Sequence, residues 1–213
     1  GRSPPRDYAV PNSGWSNAMQ QQYRHLLAMA ATGAWARLSS YSPVPAEVPA
    51  MPGDTPLFLR AIKGAGVSFE YTMFLNATER RLLCLFQPGL YLEGRPGLTH
   101  SGAIAAIIDG TLGTCALAVA GKVMTANLSI DYLMRCCHPL PSPIPLGAVV
   151  LLDGRAERLE GCKFFLSCHV QSAEGDTLHA RGAPPPPLPG ADGGGTPGSP
   201  ELRPRLPPRA GSA

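Results

Sequence analysis

The sequence predicts an α+β fold in which an antiparallel sheet wraps around one buried helix. Three observations carry this. The stretch His100–Lys122, HSGAIAAIIDGTLGTCALAVAGK, is almost wholly apolar, as a helix buried around its whole circumference would be. Segments with the two-residue alternation of strands stand both before and after it. Proline and glycine, 24 of each, crowd disproportionately into the first 65 residues and the region beyond Arg181. The middle of the chain is therefore the part able to build a core.

The elements follow in order. Residues 15–32 read as an amphipathic helix with Met19, Tyr23, Leu26, Leu27 and Ala30 near one face and Gly33 as its stop. A Pro- and Ser-rich loop runs from Ser39 to Pro56. Strands are expected at 67–75 and 80–87, joined by a hairpin turn at Asn76–Glu79. The turn-rich lead-in Gly94–Gly102 opens the apolar helix at Thr99 or Ser101. Val123–Tyr132 then alternates, with Met124, Ala126, Leu128, Ile130 and Tyr132 on one face. Two long strands, 146–159 and 162–172, meet at Glu160-Gly161, and a short last one begins at Thr177. The tail from Ala183, with PPPPLPG and RPRLPPR, lacks the apolar content of a core and is expected to be disordered or polyproline II.

Composition narrows the function classes. The net charge of +3 is weak and spread out, which argues against nucleic acid or a polybasic membrane anchor. Cys84, Cys115, Cys136, Cys137, Cys162 and Cys168 lack metal-ligand spacing, and reduced, buried thiols are expected. Cys136-Cys137-His138 offers too few ligands for a metal site, and Pro184–Pro189 is read as low-complexity tail rather than as a ligand for SH3, WW or EVH1 domains. Asn76-Ala-Thr78 and Asn127-Leu-Ser129 match the glycosylation pattern, but no signal peptide precedes them and both are read as chance. The apolar stretch is near the shortest length that spans a bilayer, but Gly102, Asp109, Gly110 and Gly113 interrupt it, so no span is expected.

The chemistry centres on Asp109. A carboxylate inside an apolar helix costs several kcal/mol unless it is paired or protonated. It is either a hydrogen-bonded core acid or a working group. The helix start leaves backbone N–H groups that form an electropositive site for a carbonyl oxygen or anion.

The phrases YLEGRPGLTHSGAIAAIID, GKVMTANLSIDY and LEGCKFFLSCHVQS, in this order, resemble the hotdog-fold acyl-coenzyme A thioesterases. The likeness covers roughly Tyr8–Ala180 and includes PNSGW and GAWARLSSY. It implies hydrolysis of medium- and long-chain fatty acyl-CoA without a cofactor. It also implies a homodimer or dimer of dimers with sites at the subunit interface, a second role in binding the kinase Akt, and a mitochondrial and cytosolic location. No targeting segment stands in the chain, which opens at Gly1. Peripheral membrane association stays compatible with this reading.

On this likeness the catalytic acid falls on Asp109 and its threonine partner on Thr125. The family's His-Gly-Gly turn falls on His100-Ser101-Gly102, with the Gly102 N–H expected to hold the thioester oxygen. Ser101 replaces a glycine and gives up access to positive φ, which would distort the turn if the turn needs it. His100 has no acid partner in local sequence; it serves either catalysis or the orientation of the turn. Substrate contacts fall on Asp131, Leu151, Cys162 and Lys163, with Cys162 in place of an arginine that would grip phosphate bidentately. Asp109 acts as general base or as nucleophile. Gly102 and Asp109 stand seven residues apart, about 10 Å along a helix, which favours a site shared between two chains.

Two departures from the family stand out. Leu133–Ser142 intervenes before Pro143-Ile-Pro-Leu146, and the last strand gives way to the proline-rich tail near Arg181, exposing a sheet edge. The expected division is a helical and Pro-rich extension at 1–56, a hotdog domain at 57–182 with an insertion at 133–142, and a tail at 183–213.

Overall fold

The computed structural model describes residues 7–40, 58–60, 62, 64–121, 124–132, 143–161 and 163–183. The 133–142 insertion, the tail beyond Ala183, Cys136, Cys137, His138 and Cys162 lie outside the described residues.

Helix α1 (Asn17–Ala30) starts because the Ser16 hydroxyl accepts the Met19 N–H at 3.2 Å. It ends just before Gly33, whose φ of 92° leaves helical space. Met19, Tyr23 and Leu26 are buried as expected. Leu27, expected beside them, is 38% exposed, because it falls at the margin of the packed stripe.

Among the described residues, the seven strands β1 (Ala36–Leu38), β2 (Phe69–Asn76), β3 (Arg81–Pro88), β6 (Ile130–Tyr132), β7 (Val150–Glu160), β8 (Lys163–Ser172) and β9 (Leu178–Gly182) form one antiparallel sheet. Its order is β1-β2-β3-β7-β8-β9-β6. A small hairpin, β4 (Glu93–Arg95) and β5 (Leu98–Thr99), stands apart and leads into helix α2 (Ser101–Ala120). The β2–β3 turn closes on the Asn76 side chain, which accepts the Glu79 N–H at 3.0 Å. Register aligns Met73, Cys84, Leu152, Val170 and Ala180 across five strands, and all five are buried in the core that α2 joins. Burial pushes the thiol of Cys84 up to about 12 and those of Cys115 and Cys168 up to about 11, so all three are inert core thiols.

The sheet wraps α2 in the hotdog arrangement, with one correction. Ile104, Ile107, Ile108, Leu112 and Cys115 are buried against the strands, but Ala106, Asp109, Gly113 and Leu117 are only half-buried. One sheet curves around one side of the helix, and among the described residues the opposite side is only partly covered, by Leu59 over Gly110 and by a cavity wall. α2 is long and apolar enough to cross a membrane, but its isoleucine side is committed to the sheet, each such side chain contributing roughly 1.5–3 kcal/mol.

Three further expectations change. Among the described residues of the alternating stretch, only Ile130–Tyr132 pairs with the sheet, against β9, and residues 124–129 are exposed. The strand expected from 146 begins at Val150, because Leu146–Gly147 turns, with Gly147 at φ 76°. The last strand ends at Gly182 and covers β8 only from Cys168 to Gln171. Among the described residues, Lys163–Ser167 has no strand on that side. The exposed edge therefore lies along this half of β8, while the other half is covered by β9, which β6 covers in turn.

Candidate active site

The amino end of α2 is held by a ring rather than by a hydroxyl. His100, in extended backbone (φ −64°, ψ 136°), is the N-cap, and its Nδ1 accepts the Gly102 N–H at 2.9 Å. The helix opens at Ser101, one of the two starts the sequence offers, and its capping side chain is that of the residue before it. A Cβ on residue 102 would stand 2.9 Å from that Nδ1, so glycine is what lets the ring fold back. The same bond occupies the donor that was expected to hold a thioester oxygen. Ser101 is the first helical residue and is absent from the positive-φ positions, so serine brings no strain to this turn. Its carbonyl accepts the Tyr132 hydroxyl at 2.8 Å, and burial pushes that phenol above its ordinary range and keeps it a donor. The preceding hairpin is fixed by the His100 N–H donating to Leu92 and the Thr99 N–H to Ile144.

Two turns further on, the Thr125 hydroxyl donates to Asp109 Oδ1 at 2.9 Å. The structure thus brings together the acid and the threonine that sequence singled out. Asp109 is half-buried, not sealed in the core, and among the described residues Thr125 bonds only its Oδ1.

Asp109 and Thr125 border a cavity of about 460 Å³, whose other walls are mainly apolar, among them Leu59, Tyr71, Met73 and Leu117. That volume is in the range of small-molecule sites. A 3-10 turn at Phe58–Arg60 closes one side. Leu59 lies over Gly110, where a Cβ would stand 2.7 Å from its Cδ1. Arg60 fixes this turn by donating to the Tyr71 carbonyl at 2.8 Å while its guanidinium lies 3.9 Å over the Tyr71 ring. Gly113 also lines the cavity, and a Cβ there would meet nothing within 4 Å.

The other expected contacts do not converge here. Leu151 packs with the cluster of Trp15, Met19 and Phe74 on the opposite face of the sheet from α2. Asp131 is exposed on β6 opposite Arg181, and Lys163 is exposed at the start of β8 opposite Glu160. Sequence reasoning missed Tyr132 as a tie to the helix start. It also missed Ala9 and Leu38–Ser40 as cavity wall. No periodic signal marks these, because they reach the site from the far end of the chain.

No protein-family model matches the chain. Among curated relatives it is 44% identical over 179 residues to acyl-coenzyme A thioesterase THEM4 of Xenopus laevis, covering 82% of this chain and 77% of that one. It is 38% identical over 191 residues to THEM4 of Rattus norvegicus, covering 83% and 79%. It is 31% identical over 187 residues to acyl-coenzyme A thioesterase THEM5 of Homo sapiens, covering 83% and 72%. Among solved structures, thioesterase superfamily member 2 from Mus musculus aligns with a TM-score of 0.42 at 13% identity, covering 78% of this chain and 94% of that one.

Proposed function

The chain belongs to the acyl-coenzyme A thioesterases, and from that premise we propose that it hydrolyses medium- to long-chain fatty acyl-CoA to free acid and coenzyme A at Asp109. The observation that carries this reading is a carboxylate, hydrogen-bonded by Thr125 at 2.9 Å, at the edge of a largely apolar cavity of about 460 Å³. A thioester carbonyl is already electrophilic; what it needs is a delivered nucleophile and a place for the oxyanion.

Thr125 holds Oδ1 and leaves Oδ2 to face the reacting carbon. As a base, Asp109 takes a proton from water as the water oxygen bonds to the carbonyl carbon. The tetrahedral oxyanion then collapses, the C–S bond breaks, and the coenzyme A thiolate takes the proton back. As a nucleophile, Asp109 itself forms the bond, expels the thiolate, and gives a mixed anhydride that water opens. A single turnover in ¹⁸O-water labels the product acid by the first route; by the second, water that opens the anhydride at the aspartyl carbon labels Asp109 and leaves the acid unlabelled, so label in Asp109 marks the nucleophilic route.

The oxyanion falls to the Gly102 N–H, which the substrate oxygen wins from the His100 ring by turning that ring aside. Because Gly102 and Asp109 are about 10 Å apart along one helix, the turn that serves a given Asp109 comes from a second copy in a homodimer. The segment 124–129 suits that contact: it alternates, it is exposed in the single chain, and Met124 is 93% exposed.

The test is coenzyme A release from butyryl-, octanoyl-, myristoyl- and palmitoyl-CoA by the full chain, with its mass in solution from light scattering. Turnover rising with chain length by a dimer is expected. A chain that hydrolyses none of the four would defeat the reading.

A further inference from the structure

The cavity beside Asp109 has an inner wall from α2 and β2 and an outer wall from the amino-terminal segment. The outer wall is Ala9 together with Leu38, Ser39 and Ser40. Leu38 is placed by β1, where it stands opposite Met73 of β2, another cavity residue. Asp7–Ala9 is held to it by one side-chain clasp. The Arg37 guanidinium donates through Nη2 to Asp7 Oδ2 at 2.9 Å, and through Nη1 to the Ala9 carbonyl at 3.4 Å and the Leu38 carbonyl at 3.3 Å. Asp7 Oδ1 accepts the N–H groups of Ala9 at 2.9 Å and Ser40 at 3.0 Å, and the Tyr8 N–H donates to Ser40 Oγ at 2.6 Å. A single guanidinium thus bonds the carbonyls of two residues that line the cavity from separate stretches of chain. Both charged partners are largely buried, with 25% of the Arg37 side chain and 19% of the Asp7 side chain exposed. Burial alone would raise the Asp7 carboxyl; the Ser40 and Ala9 N–H groups and Arg37 outweigh it and hold the group below its ordinary value, charged at neutral pH.

We propose that Arg37 is a positioning residue for substrate selection: it holds the amino-terminal segment as the outer wall of the acyl cavity, and that wall is what gives long tails their advantage. The inference rests on the thioesterase reading for the identity of the ligand. On this proposal the wall meets the tail, while the reacting carbon sits at Asp109. Each methylene that loses apolar cover weakens binding about fourfold, the fold-change equivalent of about 0.8 kcal/mol. Loosening the wall therefore costs a long tail much and a short tail little.

The experiment compares the full chain with Arg37→Ala, Arg37→Lys and Asp7→Asn on palmitoyl-CoA and butyryl-CoA. Binding of the non-hydrolysable C16 and C4 alkyl-CoA thioethers is measured beside it by calorimetry. Arg37→Ala is expected to raise KM for palmitoyl-CoA by about tenfold or more, on that per-methylene scale, and to leave butyryl-CoA within about twofold, with kcat unchanged for both. Arg37→Lys keeps the ion pair but not the fork to two carbonyls, and falls between. Asp7→Asn keeps the Oδ1 acceptor and shows the same direction more weakly, so it serves if Arg37→Ala fails to fold.

Equal losses on both substrates, or none, would overturn the inference. If the unaltered chain turns over no acyl-CoA yet binds the C16 thioether more tightly than the C4, and Arg37→Ala or Asp7→Asn narrows the gap, the wall stands and the hydrolytic reading falls. If the unaltered chain binds both thioethers equally, the wall is no selector, whatever the turnover.

Discussion

The two faces of the sheet carry one helix each and are finished to different degrees. On the outer face, α1 is sealed down by apolar and polar contacts together. Trp15 stands edge-on to Tyr23 at 5.3 Å, Phe74 is wholly buried beneath them, and the buried Glu70 carboxylate accepts from Trp15 Nε1, Asn12 Nδ2 and the Gly66 N–H. Gln87, its register neighbour, accepts the Ser16 N–H and donates to the Gly14 carbonyl. On the inner face, α2 is packed closely along its isoleucine side, and its half-buried acid borders a cavity. The outer face is closed by these contacts, and the inner face keeps a cavity beside its acid. Substitutions should divide accordingly: those outside change melting, and those inside change chemistry.

The largest effect short of removing the acid belongs to Thr125→Val. The substitution is nearly isosteric and deletes one hydrogen bond to a charged group, worth about 1.5–3 kcal/mol. A fall in kcat of roughly 10–150-fold is expected, with the melting temperature unchanged, since Thr125 is exposed and the substitution keeps its shape. Steady-state kinetics on myristoyl-CoA beside a thermal melt decides it; a drop in melting with kcat intact would place Thr125 on the structural side.

Glu70→Gln is the mirror case. The amide turns an N–H₂ toward groups that are themselves donors, and leaving such groups unpaired costs about 1–3 kcal/mol. The melting temperature should fall by several degrees while kcat per folded molecule stays put. An unmoved melting curve would mean that the outer face is held by its apolar contacts alone.

A third variant probes the edge of the sheet. Replacing Ala183–Leu188 with an alternating Thr/Val segment offers a strand to Lys163–Ser167, the half of β8 that β9 leaves uncovered. Higher thermal stability and less aggregation are expected, whereas cutting the chain after Ala183 should change the melt little. If the cut is the more disruptive change, the tail belongs to the fold.

His100→Ala should do least. It removes an N-cap worth about 1 kcal/mol, which melting would register as a few degrees. Because the ring competes for the Gly102 N–H, turnover should hold or rise slightly. A hundredfold loss of turnover would make His100 a catalytic residue instead.

How far the sequence reached follows the same division. α2 and its acid were legible because an apolar run interrupted by one carboxylate has few readings, and the likeness to known thioesterases paired Asp109 with Thr125. The β2–β3 hairpin was legible because Asn76 begins a turn whose chemistry is local. Glu70 was not: it sits in the phrase VSFEYTMFL as an ordinary strand glutamate, and its partners Asn12 and Trp15 lie 58 and 55 residues away. His100 as cap was hidden because an imidazole reaches back only where residue 102 lacks a Cβ. The stretch from Val123 shows a strand pattern in which only Ile130–Tyr132 finds a partner among the described residues.

The central claim is that Asp109 is the working group of the open face, and Asp109→Asn tests it most directly. The amide keeps the shape and can still accept the Thr125 hydrogen bond, but it can neither take a proton from water nor attack the thioester. With far-UV circular dichroism and melting matched to the parent chain, coenzyme A release from myristoyl-CoA should fall by about 10²–10⁴-fold. Unchanged release from the folded variant would contradict the account.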